Sequence, residues 1–218
     1  YRPGTTQAAA DSLEVRLFGR GAHGSMPESS IDPVVMAAST VLRLQTIVSR
    51  EVAASQAAVV TVGALQAGTK ENVIPDEAVI KLNVRTFDAG VRKRVLAAVE
   101  RIVNAEAEAS GAPRKPEITT LDHYPLNVND RDASRRVVEA FRGYFGAERV
   151  RETGAAPASE DFGFVRNGVA RPFRLLVCRR HRSRYLFKSQ GSRPHQRPSG
   201  QPQSEVRADY SSYPGDGR

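Results

Sequence analysis

The sequence predicts an α+β fold in which two helices cover one face of a four-stranded antiparallel sheet. Two patterns between residues 12 and 121 support this prediction. Several short segments alternate apolar and polar residues, which is typical of half-buried strands, and two longer segments place apolar residues at helical spacing. Their order along the chain is β-α-β-β-α-β, which predicts that both helices pack on the same face of the sheet.

A glycine-rich turn separates the first strand from the first helix. Residues 13–17 read Leu-Glu-Val-Arg-Leu, and this alternation predicts a strand. From Pro33 to Ile47 the apolar residues recur every three or four positions, as expected of an amphipathic helix. Asp32 directly precedes Pro33 and is placed to cap the first turn of this helix.

The remaining elements complete the unit. Val59–Leu65 is rich in β-branched residues and Ala78–Val84 alternates again, so the two segments are predicted to pair as a hairpin with a long loop. A second helix is predicted for Asp88–Ala109, and Glu117–Leu121 is the fourth predicted strand. The complete order corresponds to a ferredoxin-like fold, which hosts many functions.

Beyond this unit the pattern indicates only isolated elements. Ala133–Phe145 is predicted to be a helix, Val150–Glu152 a short strand, and Ser159–Val165 a loop that enters a helix. These segments are too few to form a second hydrophobic core. We therefore expect them to be the end of another domain whose beginning is missing from the sequence.

The net charge of +8 is confined to one end of the 218-residue chain. Residues 1–170 contain 21 Lys and Arg and 21 Asp and Glu, whereas residues 171–218 contain 11 and 3. A basic chain can indicate a nucleic-acid partner, but here the body is neutral and no aromatic residues are interleaved with the arginines in a recognisable module. We therefore predict no nucleic-acid partner.

The composition also bears on membranes and on the compartment. No run of about eighteen apolar residues is present, so no membrane partner is predicted. Cys178 is the only cysteine, which excludes an internal disulfide and fits a reducing, cytoplasmic compartment. The chain begins with tyrosine and has no charged-then-apolar leader, so we expect a fragment of a longer cytoplasmic protein.

Five polar residues are candidates for function. His23 lies in a glycine-flanked loop directly after the first strand, Asn72 at the bend between two strands, and Arg85 on the strand face that points away from the helices. Glu160 and Asp161 are adjacent carboxylates at an expected helix start. Each also has an ordinary role open to it, as a solvated imidazole, a turn asparagine, a solvated arginine or a capping carboxylate. None of them decides a function alone.

Together, the motifs around these residues resemble those of a known enzyme family. In chain order they are Gly-Ala-His-Gly-Ser-Met-Pro-Glu at residues 21–28, Asp32-Pro33, Leu44-Gln45 followed by Val48-Ser49-Arg50, Asn72-Val73-Ile74-Pro75-Asp76, Arg85-Thr86-Phe87 and Ser159-Glu160-Asp161-Phe162. This series, which covers about residues 10–170, resembles the metal-dependent amidohydrolases and metallopeptidases of the aminoacylase, hippurate hydrolase and carboxypeptidase G group.

The resemblance implies a hydrolase that uses metal-activated water to cleave the amide bond of N-acyl amino acids or small peptides. It implies two divalent metal ions, usually zinc, in the intact enzyme, and a homodimer formed through a lid domain. His23 would be catalytic, stabilising the oxyanion in the partner subunit's site. Asn72 and Arg85 would hold the substrate carbonyl and carboxylate, with Glu160 and Asp161 at the edge of the same cleft.

The resemblance also implies a domain organisation. The catalytic domain is expected to be α/β and only partly present, and the metal-ligand motifs that precede the lid in the family are missing, so this chain is expected to hold no metal and to be inactive. The predicted domains are a catalytic-domain remnant or linker at 1–9, the lid and dimerisation domain at 10–118, the C-terminal part of the catalytic domain at 119–170, and an aberrant tail at 171–218.

The tail departs from the family pattern after residue 170. Our hypothesis is a slip of the reading frame, because permitted codons for this tail can encode a family-like ending in a second frame. A disordered basic segment and a nucleic-acid contact are the alternative interpretations.

A second interpretation of the whole chain belongs to another functional class. The same β-α-β-β-α-β unit can serve as a non-enzymatic dimerisation or small-ligand-binding module. The enzyme interpretation requires His23 and Arg85 for turnover, whereas the binding-module interpretation leaves both residues freely replaceable.

Overall fold

A four-stranded antiparallel sheet forms the centre of the computed structural model, which describes residues 1–164. In chain order the strands are β1 (Gly4–Gln7), β2 (Ala9–Phe18), β3 (Ala22–His23), β4 (Ala58–Ala67), β5 (Val73–Ile74), β6 (Glu77–Thr86), β7 (Glu117–Tyr124) and β8 (Asn127–Asn129), and the helices are α1 (Pro33–Thr46), α2 (Ala89–Ala109) and α3 (Arg131–Phe145). Short helical turns occupy Pro27–Ser29, Ile47–Glu51 and Ala147–Arg149. Cys178 and the predicted frame-slipped tail lie outside the described residues.

The strands of the central sheet follow the order β4-β6-β2-β7, and all neighbouring pairs are antiparallel. Combined with the chain order β2-α1-β4-β6-α2-β7, this is the ferredoxin-like topology that the sequence predicts. β7 continues to Tyr124, beyond its predicted end at Leu121. None of the helices within residues 1–164 has both the length and the apolar character needed to cross a bilayer.

Helices α1 and α2 cover one face of this sheet and bury its apolar side chains. The core combines every second residue of β2 and β6 with the apolar stripe of α2, and its fully buried members include Val15, Leu17, Ile80, Val84, Val91, Val95, Val99 and Val103. Each such side chain stabilises the fold by about 1.5–3 kcal/mol. The alternation along β6 leaves Arg85 on the opposite face of the sheet, as predicted.

Both core helices begin at an aspartate cap. Oδ1 of Asp32 accepts a hydrogen bond from the backbone N–H of Val34 at 2.8 Å, which confirms the cap predicted ahead of Pro33. Oδ1 of Asp88 accepts from the N–H of Val91 at 2.9 Å. A cap of this kind contributes about 1 kcal/mol and fixes the residue at which the helix starts.

A buried ion pair joins the central sheet to α2. Asp11 on β2 is 2% exposed, and both of its carboxylate oxygens accept hydrogen bonds from the guanidinium of Arg92, with an Nε–Oδ2 distance of 2.8 Å. The bond to Asp11 raises the pKa of Arg92, although partial burial of the guanidinium acts in the opposite direction. The pair holds the first turn of α2 against the sheet.

The two outer strands of the sheet carry different side chains. β4 contains no charged residue, and Val59 and Leu65 on it are exposed. β7 carries Glu117 and Asp122, and it contains a bulge against β2 in which Leu121 is the extra residue. β4 is therefore the edge better suited to pair with another strand.

The N-terminal residues pack against the segment that follows the central sheet. β1 pairs with β8, and the hydroxyl of Thr6 donates to the carbonyl oxygen of Asn127 at 3.0 Å. The backbone N–H of Ala8 donates to the carbonyl oxygens of Ala156 and Ala158. These bonds connect the first eight residues with the last part of the described chain.

Of three elements predicted in this part, the two helices are present and the strand is not. α3 matches the predicted helix and ends at Phe145. Val150–Glu152 is not a strand, so that prediction is wrong. The segment is bonded instead to Tyr1, whose ammonium group donates to the carbonyl of Arg151 at 2.8 Å and whose carbonyl accepts from the N–H of Thr153 at 3.0 Å. A single partner residue is too little to form a strand ladder.

Candidate functional site

The first group of candidate residues lies where β2 ends. His23 does not stand in an open loop, because it belongs to β3, which pairs with β5 so that His23 lies opposite Val73. The backbone N–H of Gly24 donates to the carbonyl oxygen of Asn72 at 2.8 Å. The structure thus brings two predicted site residues together, with His23 on this small ladder and Asn72 in the turn directly before β5. Both residues are exposed.

Two glycines allow the chain to approach this closely. A Cβ atom at Gly19 would lie 2.2 Å from the carbonyl oxygen of Ile31, and one at Gly21 would lie 2.8 Å from that of Ile74. The N–H of Gly21 also donates to Oδ1 of Asp76 at 2.8 Å, directly before β6 begins. The glycine-rich sequence after the first strand is therefore what places His23 beside the start of β6.

The second group surrounds Arg85 near the other end of β6. Arg85 is half-buried, and its Nη1 donates to the carbonyl oxygen of Pro157 at 2.6 Å and to Oγ of Ser159 at 3.3 Å. The structure therefore brings Arg85 next to the segment that carries Glu160 and Asp161. Glu160 is half-buried and Asp161 is exposed, and the predicted helix begins after them, at residues 162–164.

Asn83 and Tyr124 also belong to this second group, and the sequence analysis does not single them out. Oδ1 of Asn83 accepts a hydrogen bond from Nε of Arg85 at 3.1 Å. Tyr124 on β7 and Arg85 on β6 lie opposite the same small residue of β2, Ala10, so both share the face away from the helices. The signal that could have found Asn83 is its position two residues before Arg85 on the same strand face.

The charges near Tyr124 keep its phenol protonated. Its hydroxyl is hydrogen-bonded to Asp122, and this bond makes the largest contribution to raising the pKa of Tyr124. The negative charges of Asp122 and Asp161 raise the pKa further. The group around Arg85 thus combines a cation, a neutral phenol and the two predicted carboxylates.

The two groups are too far apart within one chain to hold the same small substrate. β6 runs from Glu77, beside the first group, to Arg85 in the second, and eight residues of extended strand span roughly 26 Å. The structure therefore brings His23 beside Asn72, and Arg85 against Ser159, the residue before Glu160 and Asp161. It does not bring Asn72 to Arg85. Within residues 1–164, no group of three or more His, Cys, Asp or Glu side chains could hold a metal ion.

Comparison with known proteins identifies the part of the chain that contains His23, Asn72 and Arg85. Residues 6–110 match the family model of the peptidase dimerisation domain of M20 enzymes. These residues therefore form a dimerisation domain of the M20 type. This confirms the resemblance inferred from the motifs.

Relatives of this chain are hydrolases. It is 37% identical over 165 residues to hippurate hydrolase from Campylobacter jejuni, which covers 75% of the chain and 42% of that enzyme. It is 35% identical over 180 residues to N-acyl-L-amino acid amidohydrolase from Geobacillus stearothermophilus, covering 81% and 46%. The crystal structure of a dinuclear metal-binding M20 peptidase from Bacillus subtilis superimposes with a TM-score of 0.59 at 27% identity, covering 78% of the chain and 40% of that structure. The chain thus spans less than half the length of these relatives.

Proposed function

We propose that this chain is part of a metal-dependent amidohydrolase that cleaves the amide bond of N-acyl amino acids or small peptides. Hydrolysis of N-acyl amino acids is named for two of the relatives above. The observation that carries the proposal is the placement of His23 with Asn72 at one end of the lid sheet and Arg85 with Glu160 at the other. The alternative of a non-enzymatic module is not favoured, because the relatives above are hydrolases.

Each residue has a role that fits its chemistry. The imidazole N–H of His23 donates to the oxyanion that forms on the scissile carbonyl, and the amide of Asn72 holds the substrate carbonyl. The guanidinium of Arg85 binds the substrate carboxylate, for which its planar fork is well shaped. Since Arg85 already donates to Pro157 and Ser159, a bound carboxylate takes over donors that now hold this segment.

The proposal requires two chains, because the two groups lie at opposite ends of the sheet. β4 is an uncharged edge, and the adjacent α1 exposes Val35 and Leu42, the latter at 73%. Antiparallel pairing of β4 with β4 of a second copy, with the two α1 helices packed beside it, forms a closed two-fold dimer. This pairing brings His23 of one chain towards the partner's Arg85. The proposed lid is 10–118, with parts of the catalytic domain at 1–9 and 119–170.

Replacing Leu42 by glutamate is expected to weaken this dimer. In a two-fold dimer the substitution occurs in both copies of the interface, so we expect the dimer Kd to rise at least roughly tenfold. Sedimentation velocity over a concentration series measures this change. Leu121→Glu is the matched control, since Leu121 is 52% exposed on β7, the opposite edge. Equal effects of the two substitutions would contradict the proposed interface.

Among residues 1–164 no group of His, Cys, Asp or Glu side chains could hold a metal ion, so we propose none of these residues as a metal ligand. In the intact enzyme, two divalent ions, which we propose to be zinc, would be held by the rest of the catalytic domain and would activate the attacking water. We expect calorimetric titration of the chain with zinc to show no stoichiometric tight binding at two sites. The Bacillus subtilis dinuclear peptidase is the positive control. Tight binding of two zinc ions per chain would refute this assignment.

The experiment that tests the proposed function is extension of the chain to the length of its relatives. On our hypothesis of a frame slip, the extended version is built from the genomic sequence on both sides of the coding region, read in the second frame after residue 170. The extended protein with zinc is expected to hydrolyse hippurate or another N-acyl amino acid. A correctly folded, metal-loaded dimer with no amidohydrolase activity on a panel of such substrates would reject the proposal.

A cytoplasmic location stays a prediction that rests on the lone cysteine.

A further inference from the structure

The ring of His23 is hydrogen-bonded through one of its two nitrogens, Nδ1. Nδ1 lies 2.8 Å from Oγ of Ser25, and the backbone N–H of Ser25 donates to the same Nδ1 at 3.2 Å. The backbone around these groups is fixed by a turn in which the N–H of Met26 donates to the carbonyl of His23 at 2.8 Å. The bond from Gly24 to Asn72 holds the turn on β5. Ser25 therefore faces Nδ1 because of the fold of the backbone.

A backbone N–H can only donate a hydrogen bond, and this decides the protonation of the ring. In a neutral imidazole one nitrogen carries the hydrogen and the other accepts. If Nδ1 of His23 carried the hydrogen, two N–H groups would point at each other. Nδ1 therefore accepts from Ser25, and the hydrogen of the neutral ring resides on Nε2. The serine hydroxyl rotates freely and can donate to Nδ1 as well.

We infer that Ser25 is a positioning residue that fixes His23 in the tautomer with the hydrogen on Nε2. This inference rests on the proposed function, in which His23 donates a hydrogen bond to the oxyanion. Nε2 is the nitrogen on the far side of the ring from Ser25, so the fixed tautomer presents its N–H away from the protein's own backbone. The alternative tautomer would offer the oxyanion a lone pair at Nε2, which repels negative charge.

Nuclear magnetic resonance on the complete 218-residue chain, labelled with ¹⁵N-histidine, tests this inference. The spectra are recorded over a pH series, up to the pH above which the ring signals no longer change, so that they report the neutral ring. Long-range ¹H–¹⁵N correlations then distinguish a protonated from a bare ring nitrogen, and His23→Gln assigns the signals. We expect a roughly tenfold excess of the Nε2–H tautomer at His23, the effect of a single hydrogen bond.

Two variants separate the role of the hydroxyl from that of the turn. In Ser25→Ala the backbone donor remains and the hydroxyl donor is lost, so the Nδ1 resonance is expected to move towards that of a nitrogen without a hydrogen bond. Ser25→Thr keeps a hydroxyl and is expected to restore the original position. His123, whose ring packs edge-to-face on Phe164, is the internal control and is expected not to change.

Two results would overturn the inference. The first is a His23 ring with its hydrogen mainly on Nδ1, and the second is an Nδ1 resonance that is the same in the parent chain and in Ser25→Ala. Because these spectra need no catalytic activity, their outcome is separate from that of the hydrolysis assay on the extended enzyme. A failed assay with the expected spectra rejects the proposed function and leaves the tautomer assignment standing.

Discussion

Replacing His23 by alanine in the extended, dimeric enzyme is expected to lower kcat by roughly 10²–10³-fold, the usual loss when one donor to an oxyanion is removed. His23 is exposed and contributes no side chain to the core, so the variant is expected to fold and to dimerise like the parent. Steady-state kinetics with sedimentation velocity on the same sample measure both properties. A variant with parental kcat would remove His23 from the catalytic machinery.

Mixing two inactive variants tests whether His23 acts across the dimer. In a heterodimer of His23→Ala and Arg85→Ala chains, one site loses both residues and the other keeps both. Random exchange of subunits is therefore expected to restore about a quarter of the parental activity. If both residues served the site of their own chain, mixing would restore no activity. The result distinguishes a site shared between two chains from a site within one chain. The roughly 26 Å between the two groups of one chain favours the shared site.

Replacing Arg92 by methionine is expected to lower the free energy of unfolding by about 3–5 kcal/mol. The substitution leaves the carboxylate of Asp11 2% exposed and without the guanidinium that binds both of its oxygens. A buried charge that loses its partner keeps its full desolvation cost. Urea denaturation followed by circular dichroism measures this change in the free energy of unfolding.

Arg16→Met is the matched control for Arg92→Met. Arg16 is also an arginine of the lid, but its ion pairs with Glu14 and Glu77 are 3.9 Å and 3.6 Å long and largely exposed, so its loss is expected to cost at most about 1 kcal/mol. The double variant Asp11→Leu/Arg92→Met removes the buried carboxylate together with its partly exposed partner and is expected to recover much of the lost stability. If Arg92→Met costs no more than Arg16→Met, the buried pair does not stabilise the fold.

The long elements of the lid could be predicted because each carries a periodic pattern and a local stop or start signal. Asp32 ahead of Pro33 is one such start signal. The alternation along β6, which places Arg85 and Val84 on opposite faces of the sheet, is one such periodic pattern. The ladder of β3 and β5 could not be predicted, since two residues per strand are too few for any periodicity. Its existence depends on the close approach of the glycine turn to a segment fifty residues later in the chain.

The candidate site was likewise only partly accessible from sequence. His23, Asn72 and Arg85 each stand in a motif, but their separation into two groups follows from the length of β6 and from bonds between distant residues. Arg85 contacts Ser159, 74 positions away, through a bond that no local pattern encodes. The wrong strand at Val150–Glu152 has the same origin, because its partner, Tyr1, lies 150 positions away from Arg151.

The unequal outer strands of the sheet limit how far copies of this chain can add to one another. A sheet with two equally adhesive edges would accept a new copy on each side and grow into a fibre. In the proposed dimer the uncharged β4 pairs with β4 of a second copy, whereas the acidic residues Glu117 and Asp122 and the bulge at Leu121 make β7 a poor template. Such a dimer would leave only β7 as a free outer strand on each side, so a further copy would have no suitable edge to pair with.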